Sequence, residues 1–157
     1  MNDYEFVQGI TGHTRTVAFY ISQVINKLLA RMGTHDRSKL EEPEYSAFKT
    51  ISPRLKTSTF GSEEYKQALR EIKPAIDHHY LINRHHPEHF ENGIKDMNLV
   101  DLLEMICDWT AASLRNPGGD VLQSIEQKQK SLGFSDDVKS LLINTVKIIN
   151  QQDKENE

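Results

Sequence analysis

The chain has 157 residues, 27% of them charged and 37% hydrophobic, with a formal net charge of −4. Chains of about 150 residues hide about two-thirds of their unfolded surface, so this one can bury a real core and needs no second domain. The acidic balance excludes a general nucleic-acid binder, whose affinity rests on clustered Lys and Arg, yet leaves room for a small nucleotide.

The opening stretch MNDYEFVQGITGHTRTVAFY lacks a basic region followed by an unbroken apolar one, and no later run approaches the roughly 20 apolar residues of a membrane span. A cytoplasmic protein is expected. Val17, Tyr20, Ile21, Val24, Leu28 and Met32 recur at helical intervals, with His13 at the head of the stripe and Gly33 placed to end the helix in a left-handed conformation. After THDRSK, Pro43 and Pro53 predict a loop-rich region, TSTFGS a turn, and Ser62 the cap of a helix from Glu63. Pro74 either kinks that helix or opens a new one, PAIDHHYLINRHH, which Pro87 stops. Asn98 caps a helix from Leu99 to about Arg115, Asn116 to Gly119 form a turn, and helices follow at about 121–132 and 136–150. The expected architecture is all-α, one bundle of about six helices over residues 1–150, with residues 151–157 a frayed tail. The single cysteine, Cys107, lies in LLEMICDW, where a small buried hydrophobe is expected and no disulfide can form within the chain.

The chemistry lies in the histidines. There are seven; His35 directly precedes Asp36, and His78, His79, His85, His86 and His89 crowd together. Imidazole is the commonest protein ligand of transition metals, and a carboxylate adds an oxygen donor able to bridge two ions. On the PAIDHHYLINRHH helix the core-directed stripe Ile72, Ala75, Ile76 continues to His79, Asn83 and His86, so an apolar face turns into an imidazole face. On an ideal helix His79 and His86 would lie about 10.5 Å apart, too far to share one ion at bonds of about 2.1 Å. Either two metals bind or the helix breaks near Asn83. A phase error of one residue would exchange this pair for His78 and His85; His79 and His86 are preferred.

The Leu99–Arg115 helix supplies acid along one border of its apolar face: Asp101, Glu104 and Asp108. Asp101, three residues after Asn98, is explained by capping. Glu104 is placed to orient a ligand histidine through its second nitrogen. Asp108, deep in an apolar stretch beside Trp109, needs a partner or a metal.

The ordered set His13, His35, Asp36, His79, His86 and Asp108 resembles the HD-domain superfamily of metal-dependent phosphohydrolases. The strings GHTRTV, HDRSK, HHYLINRHHPEHF and LLEMICDWTAA are also similar to an uncharacterised bacterial and bacteriophage family related to it. The likeness covers residues 10 to 115, although Met32, Gly33 and Thr34 before the His-Asp pair and Arg37, Ser38 and Lys39 after it depart from the usual surroundings of that pair. It implies a divalent transition metal as cofactor, two ions in all, with Mn, Fe, Zn and Co not distinguished. Asp36 would bridge them, His13, His35 and Asp108 would complete one, and His79 and His86 would hold the other. Lys39 would meet a substrate phosphate, with Arg84 and Arg15 as weaker candidates, and metal-activated water would attack a small phosphorylated molecule, foremost a nucleotide. His89 reads as a loop residue and Asn83 as a helix cap or support for a ligand. Two other readings compete: a di-iron oxygenase, and a non-catalytic binder of a nucleotide or partner. A homo-oligomer is compatible with each.

Overall fold

A computed structural model describes residues 2–59, 61–115 and 119–151. Among them are seven α-helices and no strand, as the all-α expectation required: α1 (Asp3–Thr34), α2 (Glu44–Thr57), α3 (Glu63–Glu71), α4 (Lys73–Ile82), α5 (Leu99–Ser113), α6 (Val121–Leu132) and α7 (Asp136–Asn150). Single 3-10 turns lie at Arg37–Leu40, Pro87–His89 and Gly93–Asp96. No helix among the described residues is long and apolar enough to cross a membrane. The predicted turn at Asn116, Pro117 and Gly118 and the tail from Gln152 onward lie outside the described residues.

The chain divides into two compact units, Met1–His35 and Asp36–Glu157, so the division falls inside the 1–150 unit expected from sequence. The first unit is α1. Asn2 opens it with a capping box, accepting from the Glu5 N–H at 2.9 Å and donating to the Glu5 carboxylate at 3.0 Å. The predicted stop at Gly33 is corrected: the helix runs through Gly33 to Thr34, and it is Asp36 that takes the left-handed conformation, at φ 55°. Aspartate tolerates that region better than most side chains, which lets the exit fall three residues later.

Two apolar clusters hold the second unit. Ile106, Trp109, Val121, Ile125, Phe134, Leu142 and Val146 knit α5, α6 and α7 together, and Ile51, Ala68 and Ile72 join α2, α3 and α4. The loop-rich region expected around Pro43 and Pro53 is instead α2, which carries Pro53 inside it. Its apolar residues Ala47, Phe48, Ile51 and Leu55 recur at helical spacing and pack on the second cluster, and that burial outweighs the lost amide. This additional element makes seven helices of the expected six. Pro74 begins a new helix, at the second position of α4, where a missing N–H costs nothing. Cys107 is exposed, against expectation. The buried face of α5 is Asp101, Met105, Ile106, Trp109 and Thr110, and Cys107 lies about a sixth of a turn outside that stripe.

Candidate metal centre

α4 carries His79 and ends just before His85 and His86. Asn83 leaves the helix with an extended backbone, and its side-chain amide donates to the His79 carbonyl at 2.9 Å and to Ser38 Oγ at 2.8 Å. Proline disfavours a helical conformation in the residue before it, and His86, preceding Pro87, is extended at φ −98° and ψ 127°. The chain therefore turns back on itself between His79 and His86. Their Nε2 atoms come within 2.9 Å of each other, where a continuous helix would have kept them apart. The helix break near Asn83, one of the two alternatives left open by the sequence, is the one that occurs.

His85 joins them. Asp36 Oδ1 lies 3.2 Å from His79 Nε2 and 3.5 Å from His85 Nε2, and one donor atom from each of Asp36, His79, His85 and His86 falls within 4.8 Å of the others. A tetrahedral ion with bonds of about 2.1 Å spaces its donors about 3.4 Å apart, so these four residues could hold a metal ion. Three imidazole nitrogens and one carboxylate oxygen suit a borderline transition ion better than calcium or magnesium, which favour oxygen. Burial, reinforced by the neighbouring His85 and His79, pushes the His86 pKa down to about 2. Its imidazole is thus held in the neutral form that binds metals.

Carboxylates behind the cluster aim the rings. Glu44, the first residue of α2, is fully buried and takes His79 Nδ1 at 2.8 Å, His78 Nδ1 at 2.9 Å and Ser38 Oγ at 2.9 Å. With His79 Nδ1 engaged by Glu44, Nε2 is left to face Asp36. Burial alone would raise the Glu44 pKa, but hydrogen bonds from His78, Ser38 and His79 outweigh it and hold the carboxyl below its ordinary value. His85 Nδ1 lies 3.3 Å from Glu104 Oε1, an electrostatic contact between the histidine segment and α5.

The other residues singled out from sequence are placed as follows. Lys39 Nζ contacts Asp36 Oδ2 at 2.6 Å, and Asp108 brings a carboxylate oxygen within 4.8 Å of one from Asp36. Arg84 forms a bidentate pair with buried Asp101 at 2.9 and 3.2 Å and lies 4.7 Å from the Phe90 ring centre. Asp101 also accepts the Asn98 N–H, completing the expected capping box. His35 closes the first unit, one peptide bond from Asp36. His13 and Arg15 stand exposed or half-exposed on α1, and the helical rise puts His13 about 33 Å along the axis from His35. His89 lies in the 3-10 turn after Pro87. Glu44 was not legible as a site residue, because in the run Glu41, Glu42, Pro43, Glu44 nothing marks it from its acidic neighbours.

A cavity of about 670 Å³ opens beside the cluster, with His86 and Asp108 in its wall. Lys56, Lys128, Tyr80, Trp109 and the hydroxyls of Thr57, Ser58 and Ser124 also line it. A helical domain with a buried histidine-aspartate cluster facing a cavity is a candidate metalloprotein. The chain belongs to a family of unknown function, DUF5662, whose model matches residues 2–153. No curated protein and no solved structure matches the chain.

Proposed function

We propose that the protein is a metal-dependent phosphohydrolase of HD type, acting on a small phosphorylated molecule held in the cavity beside His86. The observation that carries this reading is the convergence of three imidazoles and the Asp36 carboxylate at ligand separations, with His86 shared between the cluster and the cavity wall. Asp36, His79, His85 and His86 are the proposed donors for one divalent transition ion. This revises the set implied by the family resemblance by adding His85 and leaving out His13. Asp108, close to Asp36 and on the cavity wall, is the proposed donor for a second ion.

A bound ion of this kind supplies Lewis acidity and, by lowering the pKa of its water from about 15.7 towards about 7, a hydroxide at neutral pH. Glu44 fixes the tautomer of His79, so that its Nε2 lone pair faces inward, and Glu104 lies beside His85 Nδ1. Lys39 holds Asp36 through Oδ2 and leaves Oδ1 towards the histidines. Because Lys39 is engaged there and Arg84 is paired with Asp101, Lys56 and Lys128 on the cavity wall are the better-placed cations for a substrate phosphate. Tyr80 and Trp109 offer apolar surface for the rest of the substrate.

Elemental analysis of protein purified without added metal, followed by phosphate release from nucleoside mono-, di- and triphosphates and cyclic dinucleotides with manganese, tests the proposal. Bound metal with metal-dependent phosphate release is expected. Metal-replete protein that binds nucleotide without turnover would replace the hydrolase with a binder, and protein that takes up no metal would overturn both.

A further inference from the structure

α1 is unusual for so long a helix: none of its residues is buried. Val7, Ile10, Val17, Ile21 and Val24 are between 41% and 55% exposed. Such a face on a helix of about 48 Å is too costly to leave in water and too regular to be chance. Val7, Thr14, Ile21 and Leu28 repeat every seven residues, and Ile10, Val17 and Val24 fall three residues after the first three of them. That is the alternating three-and-four spacing of a coiled-coil seam sustained over three heptads, broken only by Thr14.

We propose that α1 pairs antiparallel with α1 of a second copy of this chain. The seam is self-complementary in one register, in which Val7 faces Val24, Ile10 faces Ile21 and Thr14 faces Val17, each pair occurring twice about a two-fold axis. Charge selects the direction. Acidic Asp3 and Glu5 occupy the first turn and basic Lys27 lies near the other end, so a parallel pair would set like charges side by side. In the antiparallel register Asp3 comes next to Lys27 of the second copy at both ends, and the helix dipoles run head to tail. The inference stands on α1 alone and is independent of the metal centre.

Light scattering of the full chain tests it. The expected result is a particle of two 18.1-kDa chains. Val17→Glu with Val24→Glu should convert it to monomer, with metal content unchanged. Because two buried charges could also unfold α1, circular dichroism is read alongside, and a second pair of variants reports on direction. Lys27→Asp should weaken the dimer about tenfold, and adding Asp3→Lys should restore it. A monomeric wild type at its highest soluble concentration overturns the proposal, as does a dimer indifferent to Val17→Glu and Val24→Glu. Failure of Asp3→Lys to rescue Lys27→Asp overturns the antiparallel register.

Discussion

Replacing Glu44 probes whether the carboxylates behind the cluster control metal affinity. Its two oxygens receive three groups: His78 on Oε1, and His79 and Ser38 on Oε2. Glu44→Gln preserves shape and keeps one accepting oxygen. If the amide oxygen occupies the Oε2 position, His79 and Ser38 stay satisfied, and only His78, the more exposed ring at 37%, must change tautomer. What is lost is the negative charge that raises the basicity of His79. Removal of such supporting groups typically costs 10–100-fold in metal affinity, about 1.4–2.8 kcal/mol, and the conservative variant belongs at the lower end. Glu44→Ala removes the partner of all three groups and strands the buried His79 Nδ1 beside an empty space. It should reach the upper end and also cost about 2–4 kcal/mol of stability through unsatisfied polar groups. Competition against a chromophoric chelator measures the affinity, and chemical denaturation of metal-free protein separates it from folding. Wild-type metal affinity in both variants would refute the orienting role of Glu44.

Further expectations test the ligands, the cavity and the core. Asp36→Ala, His79→Ala, His85→Ala and His86→Ala should each lower metal content measured by elemental analysis, whereas His13→Ala should leave it intact, since His13 lies far along α1 from the His-Asp pair. Lys128→Ala should raise KM for a phosphorylated substrate with little change in kcat if its contact is uniform, and steady-state kinetics on an active substrate would decide. Ile125→Ala, at a fully buried position among α5, α6 and α7, should destabilise by about 2–5 kcal/mol in urea denaturation. Ser135→Ala, which removes the acceptor of the Val138 N–H at the start of α7, should cost about 1 kcal/mol by the same measurement.

What was legible in the sequence follows from which forces are local. α6 and α7 lie where their caps place them, because Asp120 and Ser135 accept from their own helices and Gly133 takes the left-handed turn between them at φ 67°. The cap and Asp101 at the start of α5 were readable for the same reason. α2 was not: its prolines argue locally for a loop, and only packing of Ile51 against α3 and α4 explains the helix. At the metal centre the residue types were readable and their convergence was not. Helical periodicity set His79 and His86 on one face two turns apart, with His78 and His85 as the pair that a one-residue phase error would substitute; the end of α4 at Ile82 brings His79, His85 and His86 together instead.

The break at Asn83 is therefore the step that turns a histidine-rich segment into a site. A helix places residues seven apart on one face but two turns distant, and residues one apart on different faces. Ending α4 at Ile82 removes both constraints at once: His86 folds back to His79, and His85 and His86, adjacent in sequence, lie 4.1 Å apart between ring centres, tilted by 45°, each with a nitrogen in the group that includes Asp36. Pro87 enforces the extended residue, and Asn83 bonds the His79 carbonyl through both its backbone N–H and its side-chain amide, while its contact with Ser38 ties the turn to the segment that carries Asp36 and to Glu44. Metal affinity in this protein should accordingly depend on Asn83 and Pro87, which are not among the proposed donors, as well as on the donors they bring together.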